Sequence, residues 1–153
     1  MVEVTIYRYE DGRPRGFRVS GHARPPVEKP SSPGQWPVDN YSDRAWRTQL
    51  KASGVCGGVS ALVLHTVTAL RHRLGLEVEY RIGPGGTVCC LPDIVPDNKE
   101  ERAEFLLDVM IDSIERMAKE YGDFMQVTDS ISVDNTAGAT METYEEEVKS
   151  HGA

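Results

Sequence analysis

Val59, Val63, Val67, Leu70 and Leu74 recur at three- and four-residue spacing, and the series stops at Gly75. That period describes one apolar face of an α-helix, and such a face has to be covered by the rest of the chain. Gly75 supplies the residue type on which helices commonly end. Upstream, Ser53-Gly54-Val55-Cys56 places the expected start of this helix beside Cys56, with Ser53 as its cap.

The segments around this helix supply the cover. Residues 2–9 read VEVTIYRY, an alternation that predicts a half-buried strand. Turn residues at 10–13 follow, and 16–19 returns as the second strand of a hairpin, running into Ser20-Gly21-His22-Ala23. A second hairpin is predicted at 77–82 and 87–91, turned by Gly83-Pro84-Gly85-Gly86. Asp97 and Glu100 after Pro96 fit a capping box for a second helix, with Leu106, Val109, Ile114, Met117 and Tyr121 near one face. Residues 124–127 give a last short strand. The order β-β-loop-α-β-β-α-β predicts an α+β domain with helices packed on a sheet.

This organisation assigns residues 1–127 to one domain carrying a long loop insertion at 24–52. Prolines at 25, 26, 30, 33 and 37 forbid a regular element in its first half, while 39–50 has room for a short helix from near Ser42. Residues 128–153 read as a polar, acidic tail, with four glutamates between 142 and 147.

Net charge and cysteine usage narrow the function classes. A formal charge of −7 without a basic cluster argues against a direct nucleic-acid partner. No apolar run approaching ~18–20 residues and no signal-peptide pattern is read, so neither membrane association nor export is expected. The three cysteines are an odd set. Cys89 and Cys90 are adjacent in a predicted strand, one facing in and one out, so a disulfide framework is not expected and the cytoplasm is the expected compartment. His65 and His72 lie seven apart with no third ligand, and the turn at 83–86 lacks the lysine of a phosphate loop. No metal and no cofactor is therefore expected.

Two residues carry possible chemistry. At a helix start, unpaired amides and the positive dipole end would favour a Cys56 thiolate, and the amides of Gly57 or Gly58 would face an oxyanion. A free cysteine is equally a small buried hydrophobe. His22, at the end of a strand, is either a base within reach of a thiol or a solvated loop residue. Spacing alone leaves both pairs of readings open.

The combination resembles the ribosomal-processing cysteine protease (Prp, or YsxB-like) family. The resemblance lies in Ser20-Gly21-His22-Ala23 after an N-terminal hairpin and in Cys56-Gly57-Gly58-Val59-Ser60-Ala61-Leu62. It extends to the order of elements up to Val127, with Ala118-Lys119-Glu120-Tyr121 closing the second helix. It implies a two-layer α/β sandwich, two helices on a mixed sheet, and a homodimer. It also implies a Cys/His dyad, with Cys56 as nucleophile and His22 as base, supported in the pocket by Gly21, Ala23, Gly57 and Ser60. The implied activity is removal of an N-terminal extension from large-subunit ribosomal protein 27 during ribosome assembly. A non-proteolytic, ribosome-associated binding or assembly protein of the same fold is the alternative, and redox sensing through Cys56 is a third class. Two departures stand out: Ser53 occupies the position of the family's aspartate, and the loop between His22 and Cys56 is longer.

Overall fold

The computed structural model describes residues 1–23 and 43–131. β1 (Val2–Arg8) and β2 (Pro14–Gly21) form the first hairpin, and α1 (Asp43–Thr68) follows, continued by a π-helical turn at Ala69–Arg73. β3 (Glu79–Gly83), β4 (Gly86–Cys90), α2 (Asp97–Glu120) and β5 (Met125–Ile131) complete the order. The five strands make one sheet in the order β3-β4-β2-β1-β5. All neighbours are antiparallel except β1 and β5, which run parallel. The expected α+β architecture, two helices packed on a mixed sheet, is the one observed.

Alternation along β1 decides which face is covered. Val2, Val4 and Ile6 are buried while Glu3 is exposed. Ile6 pairs with Phe17, and Phe17 with Cys89, so three strands place apolar side chains in one row. The helices lay their stripes on that row: Ala52, Val55, Val59, Val63, Val67 and Leu70 from α1, and Ala103, Leu107, Met110, Ile111 and Ile114 from α2. Burying each of the larger side chains contributes roughly 1.5–3 kcal/mol. Gly75 ends the first helix at φ +61°, and the N–H of Leu76 returns to the carbonyl of Leu70 at 3.0 Å.

Several expectations need correction. α1 does not start at Cys56; it starts at Asp43, and Gly54, Gly57 and Gly58 lie in its interior. Each glycine costs about 1 kcal/mol in that setting, but Ala52 and Val55, both 1% exposed, extend the apolar stripe backwards and hold the helix to the sheet. At Gly58 a Cβ would sit 2.9 Å from Met117 Cε, the movable end of a side chain of α2. The insertion expected at 24–52 is thus helical from Asp43 onward, and 24–42 lies outside the described residues.

The capping box at Asp97 does not form. Pro96 is the N-cap, its carbonyl accepting from the amides of Lys99 (2.8 Å) and Glu100 (3.2 Å). Glu100 instead pairs with Arg13 of the first hairpin, which also donates to Glu104 Oε1 at 2.8 Å. Val109 is 48% exposed, off the buried stripe. β5 runs to Ile131, past the expected end at 127, because residues 128–131 pair with Thr5 to Arg8. Cys90 is buried like Cys89, although it points to the sheet's other face. Gly16 lies opposite it without a side chain, where a Cβ would fall 2.3 Å from the Cys89 carbonyl oxygen and 3.0 Å from the Cys90 sulfur.

Contrary to the composition reading, Leu50–Arg73 is long and apolar enough to cross a membrane by length and composition. It is the core helix of the sheet–helix sandwich, and that role accounts for the buried stripe from Ala52 to Leu70, while Leu50 and Leu64 are exposed. The remainder of the acidic tail, 132–153, lies outside the described residues.

Candidate active site

The end of β2 meets the middle of α1 at Cys56. The Cys56 side chain packs against the core while keeping part of its surface open to solvent. Its sulfur accepts a hydrogen bond from the Ala23 N–H at 3.2 Å and lies 3.9 Å from the Ala23 carbonyl. Among the described residues these two backbone groups are the sulfur's hydrogen-bond partners. The contact joins residues 33 apart in sequence, and it is the fold that brings them together.

The segment that delivers Ala23 is built with little freedom. Gly21 adopts φ +75°, and a Cβ on it would fall 2.2 Å from the Met1 carbonyl oxygen, so glycine is required twice over. The Met1 nitrogen donates to the His22 carbonyl at 2.8 Å, carrying the β1–β2 ladder one step beyond its regular end. Ala23 is buried and belongs to the core cluster. His22, between these two fixed points, is exposed. Its imidazole therefore belongs to an exposed residue next in sequence to the group touching the sulfur.

Along α1, Ser60 follows Cys56 by one turn on the same side and is exposed. Gly57 is exposed as well, and a Cβ built on it would meet nothing within 4 Å, leaving open surface beside the sulfur. Cys56 does not stand at a helix start. Cys56 lies beyond the third turn of α1, where the dipole's effect has faded and backbone amides bond to carbonyls one turn back. The expected oxyanion donors, the amides of Gly57 and Gly58, are engaged in the same way.

The other two thiols are of a different kind. Burial pushes Cys89 up to about 12 and Cys90 up to about 11, with the negative side chain of Glu79 adding to both. His65 and His72 are exposed on the first helix and its π-helical turn. Among the described residues no group of three histidine, cysteine or acidic side chains is placed to hold a metal ion. Sequence reasoning missed the Ala23 amide, and a backbone donor leaves no mark in the sequence beyond the glycine that aims it.

Known proteins share this fold and part of this sequence. The Ribosomal processing cysteine protease Prp of Bacillus subtilis is 26% identical over 133 residues, covering 86% of this chain and 99% of that protein. Among solved structures, SMU.848 from Streptococcus mutans is similar, with a TM-score of 0.59 at 18% identity over 86% of this chain and 96% of that one. The essential ribosomal processing protease Prp from S. aureus, in complex with a covalently linked product peptide, gives a TM-score of 0.57 at 18% identity, covering 85% of this chain and all of that one. These likenesses share the sandwich described above. The model of the family Cysteine protease Prp matches residues 48–126, a stretch that includes Cys56 and Ser60 and excludes His22. By that match, the chain belongs to the cysteine protease Prp family.

Proposed function

We propose that this protein is a cysteine peptidase that removes an N-terminal extension from large-subunit ribosomal protein 27. The observation that carries the reading is the meeting of Cys56 with the backbone of the residue after His22, in a chain of the Prp family. Cys56, as thiolate, attacks the scissile carbonyl carbon and forms a tetrahedral intermediate. Collapse breaks the C–N bond, and protonated His22 gives its proton to the departing amine. The resulting thioester is hydrolysed by water, which passes a proton to His22 and releases the new carboxylate and the free thiol. Gly21 and Ala23 hold the backbone beside the sulfur, while the open surface at Gly57 and the hydroxyl of Ser60 flank the path of the peptide.

The S. aureus relative with its product peptide covalently linked supports a peptide substrate and a covalent step. A cytoplasmic homodimer belongs to the same reading. Leu64 on α1 and Phe105 and Val109 on α2, all exposed, would supply apolar surface for the second copy.

The test uses the reduced, purified chain and the ribosomal protein 27 precursor of the same host. One defined cut is expected, absent in Cys56→Ala and strongly slowed in His22→Ala. A precursor left intact after long incubation would exclude this substrate. Tight binding of an uncut precursor would instead support the assembly-protein alternative.

A further inference from the structure

The helix cannot stabilise charge on Cys56. Its N-terminus is at Asp43, and the amides of residues 56–58 are committed to carbonyls one turn earlier. A nucleophilic sulfur in this position needs a donor from outside the helix. We propose that the backbone N–H of Ala23 is that donor, a catalytic group that holds the negative charge of the Cys56 sulfur. The proposal rests on the reading of Cys56 as nucleophile and adds to it the atom that makes a thiolate tenable there.

The geometry of one peptide group carries the argument. The N–H of Ala23 and the carbonyl of His22 are the two ends of the same planar unit. Its N–H lies 3.2 Å from Sγ, and its oxygen accepts from the Met1 nitrogen at 2.8 Å. A peptide whose oxygen is hydrogen-bonded is polarised and becomes a better donor at nitrogen. The reverse contact, sulfur to the Ala23 carbonyl, is longer at 3.9 Å, so the sulfur is better placed to accept than to donate. Acceptance is what a thiolate requires, and a charged acceptor strengthens the bond.

Gly21 acts through this peptide as a positioning residue. Its φ of +75° turns the chain at the end of β2, and its missing Cβ lets the Met1 carbonyl approach closely enough for the Met1–His22 bond to form. The buried Ala23 side chain fixes the other side of the unit in the core. The donor is thus held in place before any substrate arrives, which is the condition for electrostatic stabilisation without reorganisation.

The experiment replaces Ala23 by its α-hydroxy acid, so that the amide becomes an ester, which removes the N–H and also weakens the His22 carbonyl as acceptor for Met1. Cys56 alkylation by iodoacetamide should slow about tenfold near neutral pH, the equivalent of one charged hydrogen bond. Equal rates at neutral pH would overturn the proposal. If the ester variant does not fold, the Ala23 amide proton of the natural chain decides by NMR. It should move downfield over a pH step that is absent in Cys56→Ala, and an Ala23 proton with the same pH profile in both chains would also overturn the proposal. No ribosomal substrate enters either measurement, so failure of the proposed substrate and failure of this donor are told apart.

Discussion

The Cys56 thiol and the Cys89–Cys90 pair are the same functional group in two surroundings. Cys56 sits where a strand end crosses a helix, half-buried, with a backbone N–H aimed at its sulfur and open surface beside it. Cys89 and Cys90 lie in β4 between neighbouring strands, 1% and 2% exposed, and burial keeps both protonated far above neutral pH. With Cys56 as the proposed nucleophile, the difference teaches that reactivity would come from the junction between secondary elements. The strands can only seal a sulfur in, whereas the junction can leave one face open and supply a donor to the other.

The largest expected effect is on catalysis. Cys56→Ala should abolish detectable cleavage, a fall of at least about a thousandfold, while Cys89→Ala should keep most of the activity. The same Cys89→Ala should lower unfolding free energy on the order of 1–2 kcal/mol in urea, through the cavity it leaves. If Cys89→Ala removed cleavage at full stability, the contrast between the two sites would collapse.

Next in size is the effect of pH on stability. The folded-state values of Cys89 and Cys90 stand above the free thiol value of 9.0, so folding holds their protons more tightly than the unfolded chain does. The resulting stability is complete below pH 9 and is lost as pH rises through about 11 and about 12. Urea titrations across this range should show that loss, and it should be smaller in the Cys89→Ala, Cys90→Ala double variant. Alkylation of the native chain at pH 8, read by mass spectrometry, should label Cys56 alone and reach the other two only after unfolding.

Gly21→Ala comes third. The Cβ meets the Met1 carbonyl and the left-handed backbone is strained, for a cost of about 1–3 kcal/mol. Slower Cys56 alkylation in the surviving folded fraction should accompany it. The smallest effect is expected for Gly57→Ala. Nothing lies within 4 Å of the new methyl, so thermal unfolding should report a gain of up to about 1 kcal/mol from helix propensity. Any loss of activity there would reflect the filled surface beside the sulfur.

Much of this fold was legible because its patterns are periodic. Val2, Val4 and Ile6 alternate with polar residues, and Val59 to Leu70 keep a helical period, so element types and order followed from hydrophobic burial alone. The start of α1 was misread because three glycines around Cys56 signal a boundary locally. Ala52 and Val55 already continued the stripe through them, and tertiary packing outweighed propensity. The site was legible only in part. Cys56 and His22 were each ambiguous by position, and it was the resemblance of their surrounding motifs that singled them out. The Ala23 amide was invisible, since every residue but proline carries one, and only the three-dimensional approach of β2 to α1 gives it a role.

The parallel pairing of β1 with β5 has a consequence for the order of events during synthesis. β1 is flanked by β2 and by β5, and Val2 takes hydrogen-bonding company from both Gly21 and the segment at Phe124 and Met125. A ribosome making this chain releases β1 and β2 early, yet the strand that completes β1's other edge emerges only after both helices. Until then the hairpin end that carries Gly21 to Ala23 has one unpaired flank, and the helix bearing Cys56 has an incomplete sheet to rest on. The β1 edge beside Met1, whose nitrogen holds the His22 carbonyl, is therefore closed only by the last strand of the sheet.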